Sequence, residues 1–206
     1  AGIGTTCGME CRVDLSATKM AGRKLNNPDQ AGICYMAIHS IPATGFKRLD
    51  EVFAPLREKR NVRNRKMVAN INELMKPYGI EVDFDQDVVP ISQYQNGGSI
   101  TERHVLCALS QKILDKAPRG GCADFVEQEL GVALNDTAKA RLSDPENPHL
   151  IYDLLGVMKA ELVSKIYVPA TDECMPFADL VKLADEVGAI LCYPYLGDVT
   201  DSVTGD

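Results

Sequence analysis

No stretch of this sequence is apolar for long enough to cross a membrane, and nothing near its start resembles a signal peptide. The seven cysteines include no CxxC pair and only three histidines accompany them, which argues against a zinc cluster. An odd number of cysteines without paired spacing reads as reduced, mostly buried small hydrophobes in a cytoplasmic protein. Positive charge is in deficit: a net charge of -7 argues against a dedicated nucleic-acid binder and leaves room only for a local basic patch. A GxSxG elbow, a Walker loop and a dinucleotide fingerprint are all missing, and no cysteine has the local setting of an activated thiolate. Internal repeats and low-complexity tracts are absent as well.

The composition that remains is ordinary for a globular chain, with 45% hydrophobic and 25% charged residues. A length of 206 residues can bury a real core, as one domain or as one domain with a sizeable insertion. Both ends read as cut, since Ala1 opens the chain without methionine and "DVTDSVTGD" ends it without a closing helix; the sequence reads as a piece of a longer protein.

The segment from Ile3 to Leu15 is rich in strand formers, and "LNNPDQAG" is a turn by residue type. "ICYMAIHSIP" predicts a second strand, ended by Pro42. From about Leu49 to Tyr78 the apolar period becomes helical, with Gly79 as its C-cap. "IEVDFDQDVV" fits a strand followed by a helical turn. The capping-box spacing of Ser99 and Glu102 predicts a helix starting just after Ser99. Further helices are expected in "GGCADFVEQELGV", in "NDTAKARLSD" with Asn135 as cap, in "NPHLIYDLLGVMKAELVSKI" and in "PFADLVKLADEVG". The last leads into "GAILCYPYLGD", where Ile190 to Cys192 read as a short buried strand stopped by Tyr193-Pro194. The pattern is an α/β domain interrupted by a mostly helical insertion, roughly 47–170.

Four places carry candidate chemistry. Glu10 lies in the apolar strand "GMECRV", where a carboxylate is costly unless it is paired, metal-bound or turned to water on an edge strand. His39, in "MAIHSIP", is either a hydrogen-bonded core residue or a ligand; with Glu10 it would make a mixed O/N donor set suited to zinc, manganese or iron. Two such donors are too few for a tight site. "GGSITERH" puts Arg103 and His104 in the first turn of a helix whose exposed amides and dipole favour an anion, the alternative being a plain flexible turn. In "REKRNVRNRK", Arg60 and Arg63 fall on the face occupied by Met67 and Ile71. Either the helix breaks near Glu58, or two guanidiniums point inward toward phosphate.

The order of these segments resembles the PHP (polymerase and histidinol phosphatase) domain of metal-dependent phosphoesterases, in the branch with a helical insertion. "GMECRV" and "MAIHSIP" look like the family's ligand-bearing strands, and "REKRNVRNRKMVANINELMKPYGIEV" with "GGSITERHVLCAL" is similar to the insertion. "GAILCYPYLGD" resembles the later strand that usually ends in Ala-His-Pro. The resemblance implies part of a distorted (β/α)7 barrel, with 1–46 and 171–206 as barrel portions and 47–170 as the insertion. It also implies divalent metal ions in the full-length protein, a small phosphorylated substrate, Glu10 and His39 as ligands, and Arg103 with His104, joined by Arg60 and Arg63, at the phosphate. The family's HxH segment is not in this sequence, and Tyr193 stands where a ligand histidine is usual. A phenol is a poor substitute for imidazole, so the resemblance leaves two expectations. The chain is either a central piece of a phosphoesterase, inactive by itself, or a degenerate relative that binds a phosphorylated ligand without hydrolysis.

Overall fold

The computed structural model describes residues 2, 4–27, 29–118 and 120–196; the expectation about "DVTDSVTGD" lies outside the described residues. In chain order the elements are β1 (Met9–Asp14), β2 (Ile33–His39), α1 (Phe46–Met75), α2 (Glu102–Lys116), α3 (Cys122–Asp124), α4 (Asp136–Ser143), α5 (Leu150–Ile166), β3 (Met175–Pro176), α6 (Phe177–Val187) and β4 (Ile190–Cys192). They gather into two compact units, one made of Ala1–Arg60 and Pro169–Asp206, the other of Asn61–Val168.

The first unit is built on a four-stranded sheet in the order β3-β1-β2-β4. β1 pairs antiparallel with β2, Met9 opposite Ile38 through Asp14 opposite Ile33, while β3 runs parallel to β1 and β4 antiparallel to β2. One face is apolar: Val13, Cys34, Met36 and Ile38 pack with Leu49 and Phe53 of α1 and with Leu180, Leu183 and Val187 of α6. In α6 the buried positions recur at three- and four-residue steps, and Gly188 ends the helix at φ +70.

This sheet overturns the expected barrel. A (β/α)7 barrel needs parallel strands joined by helical crossovers. Instead the Leu15 amide donates to Gly32 O and the Gly32 amide to Arg23 O, and β2 returns antiparallel beside β1. Gly32 sits at φ +74 with its missing Cβ directed at Ala21 O, so a side chain cannot be accommodated there. The sheet is open, with two- and three-residue strands at its margins. β4 is not the buried strand expected either: Ile190 is 58% exposed on an edge.

The second unit has a helical core in which Ile71, Leu106, Leu109, Ile113, Leu154 and Met158 are fully or almost fully buried. Asn135 caps α4 by accepting the Ala138 amide, as its residue type predicts. "IEVDFDQDVV" forms no strand among the described residues; Asp83 caps a single wide helical turn at Phe84–Val88. α2 begins two residues later than Ser99 suggested, with Thr101 as its N-cap.

Candidate functional site

Antiparallel partners share a face of a sheet, and alternate residues along a strand return to it. Glu10 lies opposite Ala37, so His39, two residues on, stands on the same face as Glu10 and diagonal to it. Both side chains are exposed. The backbone around His39 is specialised on both sides. Gly8 precedes β1, and a Cβ added to it would lie 2.9 Å from Ile38 O and 3.1 Å from His39 Nδ1. Ser40, directly after His39, has φ +55 and is the one non-glycine with positive φ among the described residues. The Ile41 amide then donates to Cys7 O at 3.0 Å, which holds the end of this strand pair together.

By donor type, Glu10 offers oxygen and His39 nitrogen, a mixed pair of the kind that could hold a divalent ion. Among the described residues no group of three or more histidine, cysteine or carboxylate side chains gathers as a metal site. Cys192 pairs opposite Ala37 and thus shares the face of Glu10 and His39. Tyr193, where the resemblance would put a ligand histidine, lies just past β4, which ends at Cys192. The Tyr193 phenol is raised above its ordinary pKa by burial, against a hydrogen bond from the Asn26 backbone amide, and so stays protonated. Asn26 also stitches the neighbouring chain: its Nδ2 donates to Tyr35 O and Pro194 O, each at 2.9 Å, and its Oδ1 accepts the Tyr35 amide at 2.8 Å.

Farther along the same face, Arg12 is buried and donates to Glu173 at 2.9 Å and to the Tyr35 hydroxyl at 3.1 Å. Burial pulls the Arg12 pKa down, but Tyr35 and Glu173 outweigh it, so the net shift is upward and the guanidinium remains charged. Arg60 donates to the same Glu173 oxygen at 3.3 Å. Arg60 therefore points inward, as the helical phase requires, toward a carboxylate 113 residues on in the chain. α1 does not break near Glu58; it runs unbroken from Phe46 to Met75.

In the second unit Arg63 is buried and donates to Val168 O at 2.9 Å, beyond the end of α5. Arg65 grips Asp85 with two bonds of 2.6 and 2.7 Å over the ring of Phe84. Arg103 is exposed in the first turn of α2, and no carboxylate pairs with it among the described residues. His104 serves the helix itself: its Nδ1 accepts the Thr101 amide at 3.1 Å. That contact leaves Nε2 as the protonated nitrogen. Burial holds the His104 pKa below its ordinary value, with Glu102 opposing, so the ring is neutral at pH 7. The sequence signal for this cap was present, since His104 stands three residues after Thr101.

Two cavities lie elsewhere. One of about 460 Å³ in the first unit is lined by Arg48, Val52, Lys59, Asp172, Pro176 and Lys182 among others, and includes neither Glu10 nor His39. One of about 240 Å³ in the second unit is lined by Pro90, Ile91, Cys107, Lys112 and neighbours, and includes neither Arg103 nor His104. Burial pushes the Cys11 thiol up to about 12 and those of Cys34, Cys122 and Cys174 to about 11, so these four are inert packing groups.

Comparison with protein-family models, with curated proteins and with solved structures finds no match. No helix among the described residues is long and apolar enough to cross a membrane.

Proposed function

We propose that this chain is the central part of a metal-dependent phosphoesterase acting on a small phosphate ester in the cytoplasm, on a scaffold other than the barrel that the PHP resemblance implied. The observation that carries the proposal is the register, which sets Glu10 and His39, both exposed, at diagonal positions on one face of the sheet. A solvated carboxylate and imidazole at diagonal positions suit manganese, zinc or iron. When bound, such an ion supplies Lewis acidity and a water activated for attack on phosphorus. The residues of the chain hold and orient; with two donors, the chain alone binds an ion weakly and turns nothing over.

Phosphate recognition by this chain has one supporting feature in the second unit. The first-turn amides of α2 and the Arg103 guanidinium beside them suit phosphate oxygens. His104 has its Nε2–H left to offer, as a neutral donor. Arg60 and Arg63 are engaged by Glu173 and Val168 O and are not part of the proposal. The cytoplasmic assignment rests on seven cysteines that all stand as free thiols.

A second reading, binding without hydrolysis, is favoured by Tyr193, whose hydroxyl is taken up by Asn26 where the motif usually carries a ligand histidine. The full-length protein, assayed with Mn²⁺ and a generic phosphate monoester, separates the two. Turnover abolished by Glu10→Ala supports hydrolysis, binding without turnover supports the second reading, and neither binding nor turnover sinks both.

A further inference from the structure

We propose that Gly8 and Ser40 are positioning residues that hold the His39 imidazole across the start of β1, on the side where Glu10 stands. The register, continued by one step beyond Met9 and Ile38, sets Gly8 opposite His39. The space that a side chain at position 8 would fill is bounded by Ile38 O at 2.9 Å and His39 Nδ1 at 3.1 Å. The first of these is backbone and cannot swing aside, so a methyl group there displaces the ring or the strand end. On the other side of His39, the left-handed conformation of Ser40 (φ +55) turns the chain sharply out of β2.

Two costs thus fall on the two residues that flank the His39 ring. A glycine beside the strand gives up side-chain packing, and a serine in the left-handed region is strained. Burial of His39 in a core does not offset either cost, because its side chain is exposed. An exposed ring held by specialised backbone on both sides is held for its orientation. The inference rests on the proposed role of Glu10 and His39 as donors, and its test is built to fail separately from that role.

The chain is studied by NMR, wild type against Gly8→Ala, with Ser40→Gly as the substitution that suits the left-handed conformation. In the wild type, contacts between the His39 ring and the Hα protons of Gly8 are expected. In Gly8→Ala the ring resonances move and these contacts vanish, while the amide spectrum of the remaining strands is kept. Mn²⁺ affinity falls about tenfold or more, the scale seen when a ligand loses its supporting shell. Ser40→Gly keeps both ring contacts and affinity. If Gly8→Ala does not fold, Ser40→Val, which penalises the left-handed conformation, is expected to shift the ring and weaken Mn²⁺ binding in the same way. Ring contacts and affinity unchanged in Gly8→Ala overturn the proposal. A ring that moves in Gly8→Ala, in a chain whose wild type binds no Mn²⁺, upholds the positioning and sinks the metal-donor reading instead.

Discussion

Glu173→Gln removes one charge from the best-buried ion cluster of the first unit, and its cost can be worked from the contacts. The Glu173 side chain is 2% exposed and takes Arg12 at 2.9 Å and Arg60 at 3.3 Å. A hydrogen bond to a charged group contributes about 1.5–3 kcal/mol net. The Arg12 bond counts at the upper end, because that guanidinium is only 7% exposed. The Arg60 bond is longer and its guanidinium is 19% exposed, so it counts at or below the lower end. The expected loss is about 3–5 kcal/mol, the range for breaking a buried ion pair by removing one partner. Most of this cost is the stranded cation, so Arg12→Met combined with Glu173→Leu is expected to cost far less than Glu173→Gln alone. Urea unfolding, read from the amides of β1 and β2 so that the transition belongs to this unit, measures it. With a slope of about 2 kcal/mol per molar, the midpoint falls by roughly 1.5–2.5 M. A fall below about 0.3 M would refute the view that Glu173 neutralises Arg12 and Arg60 in a dry site.

Three further outcomes are expected. His104 is harder to protonate folded than unfolded, so its contribution is complete above its unfolded pKa of about 6.5 and is lost as pH falls through that value toward the folded one. Wild type should therefore lose up to about 1 kcal/mol more than His104→Ala between pH 7.5 and 5.5, the size of a helix cap, and identical pH profiles would contradict the capping role. Asn26→Ala strands the Tyr35 amide and carbonyl; it should cost about 2–3 kcal/mol and speed hydrogen exchange at Tyr35, whereas unchanged exchange would show that another group takes over. Gly156 lies inside α5 with open space where its Cβ would be, so Gly156→Ala should stabilise the chain by about 0.5–1 kcal/mol, visible as a raised Tm.

Periodicity made the helices legible. The stripe from Leu49 to Tyr78 became α1, and the apolar steps of "PFADLVKLADEVG" became α6, because a helix records its buried face at short sequence spacing. Sheet direction is recorded nowhere so local. Two adjacent strand-like runs are equally compatible with a crossover and with a return, and the turns between Leu15 and Gly32 decide for the return. The inward phase of Arg60 was visible, but its partner was not, since Glu173 lies far along the chain. The same distance hid Asn26 from Tyr193 and Pro194. Ser99 looked like a cap by spacing to Glu102, yet Thr101 has its own partner three residues on, and the imidazole of His104 takes the Thr101 amide. Of the candidate site, the identities of Glu10 and His39 could be read from the sequence; that they share a face required the register.

The account stands on Glu10 and His39 acting together on one ion. Crystals of the chain soaked in Mn²⁺, with anomalous scattering recorded at the manganese edge, test this directly. The expected result is a peak about 2.0–2.3 Å from both a Glu10 carboxylate oxygen and a His39 ring nitrogen, lost in Glu10→Ala. A peak bound to neither residue, or no peak at saturating Mn²⁺, would contradict it.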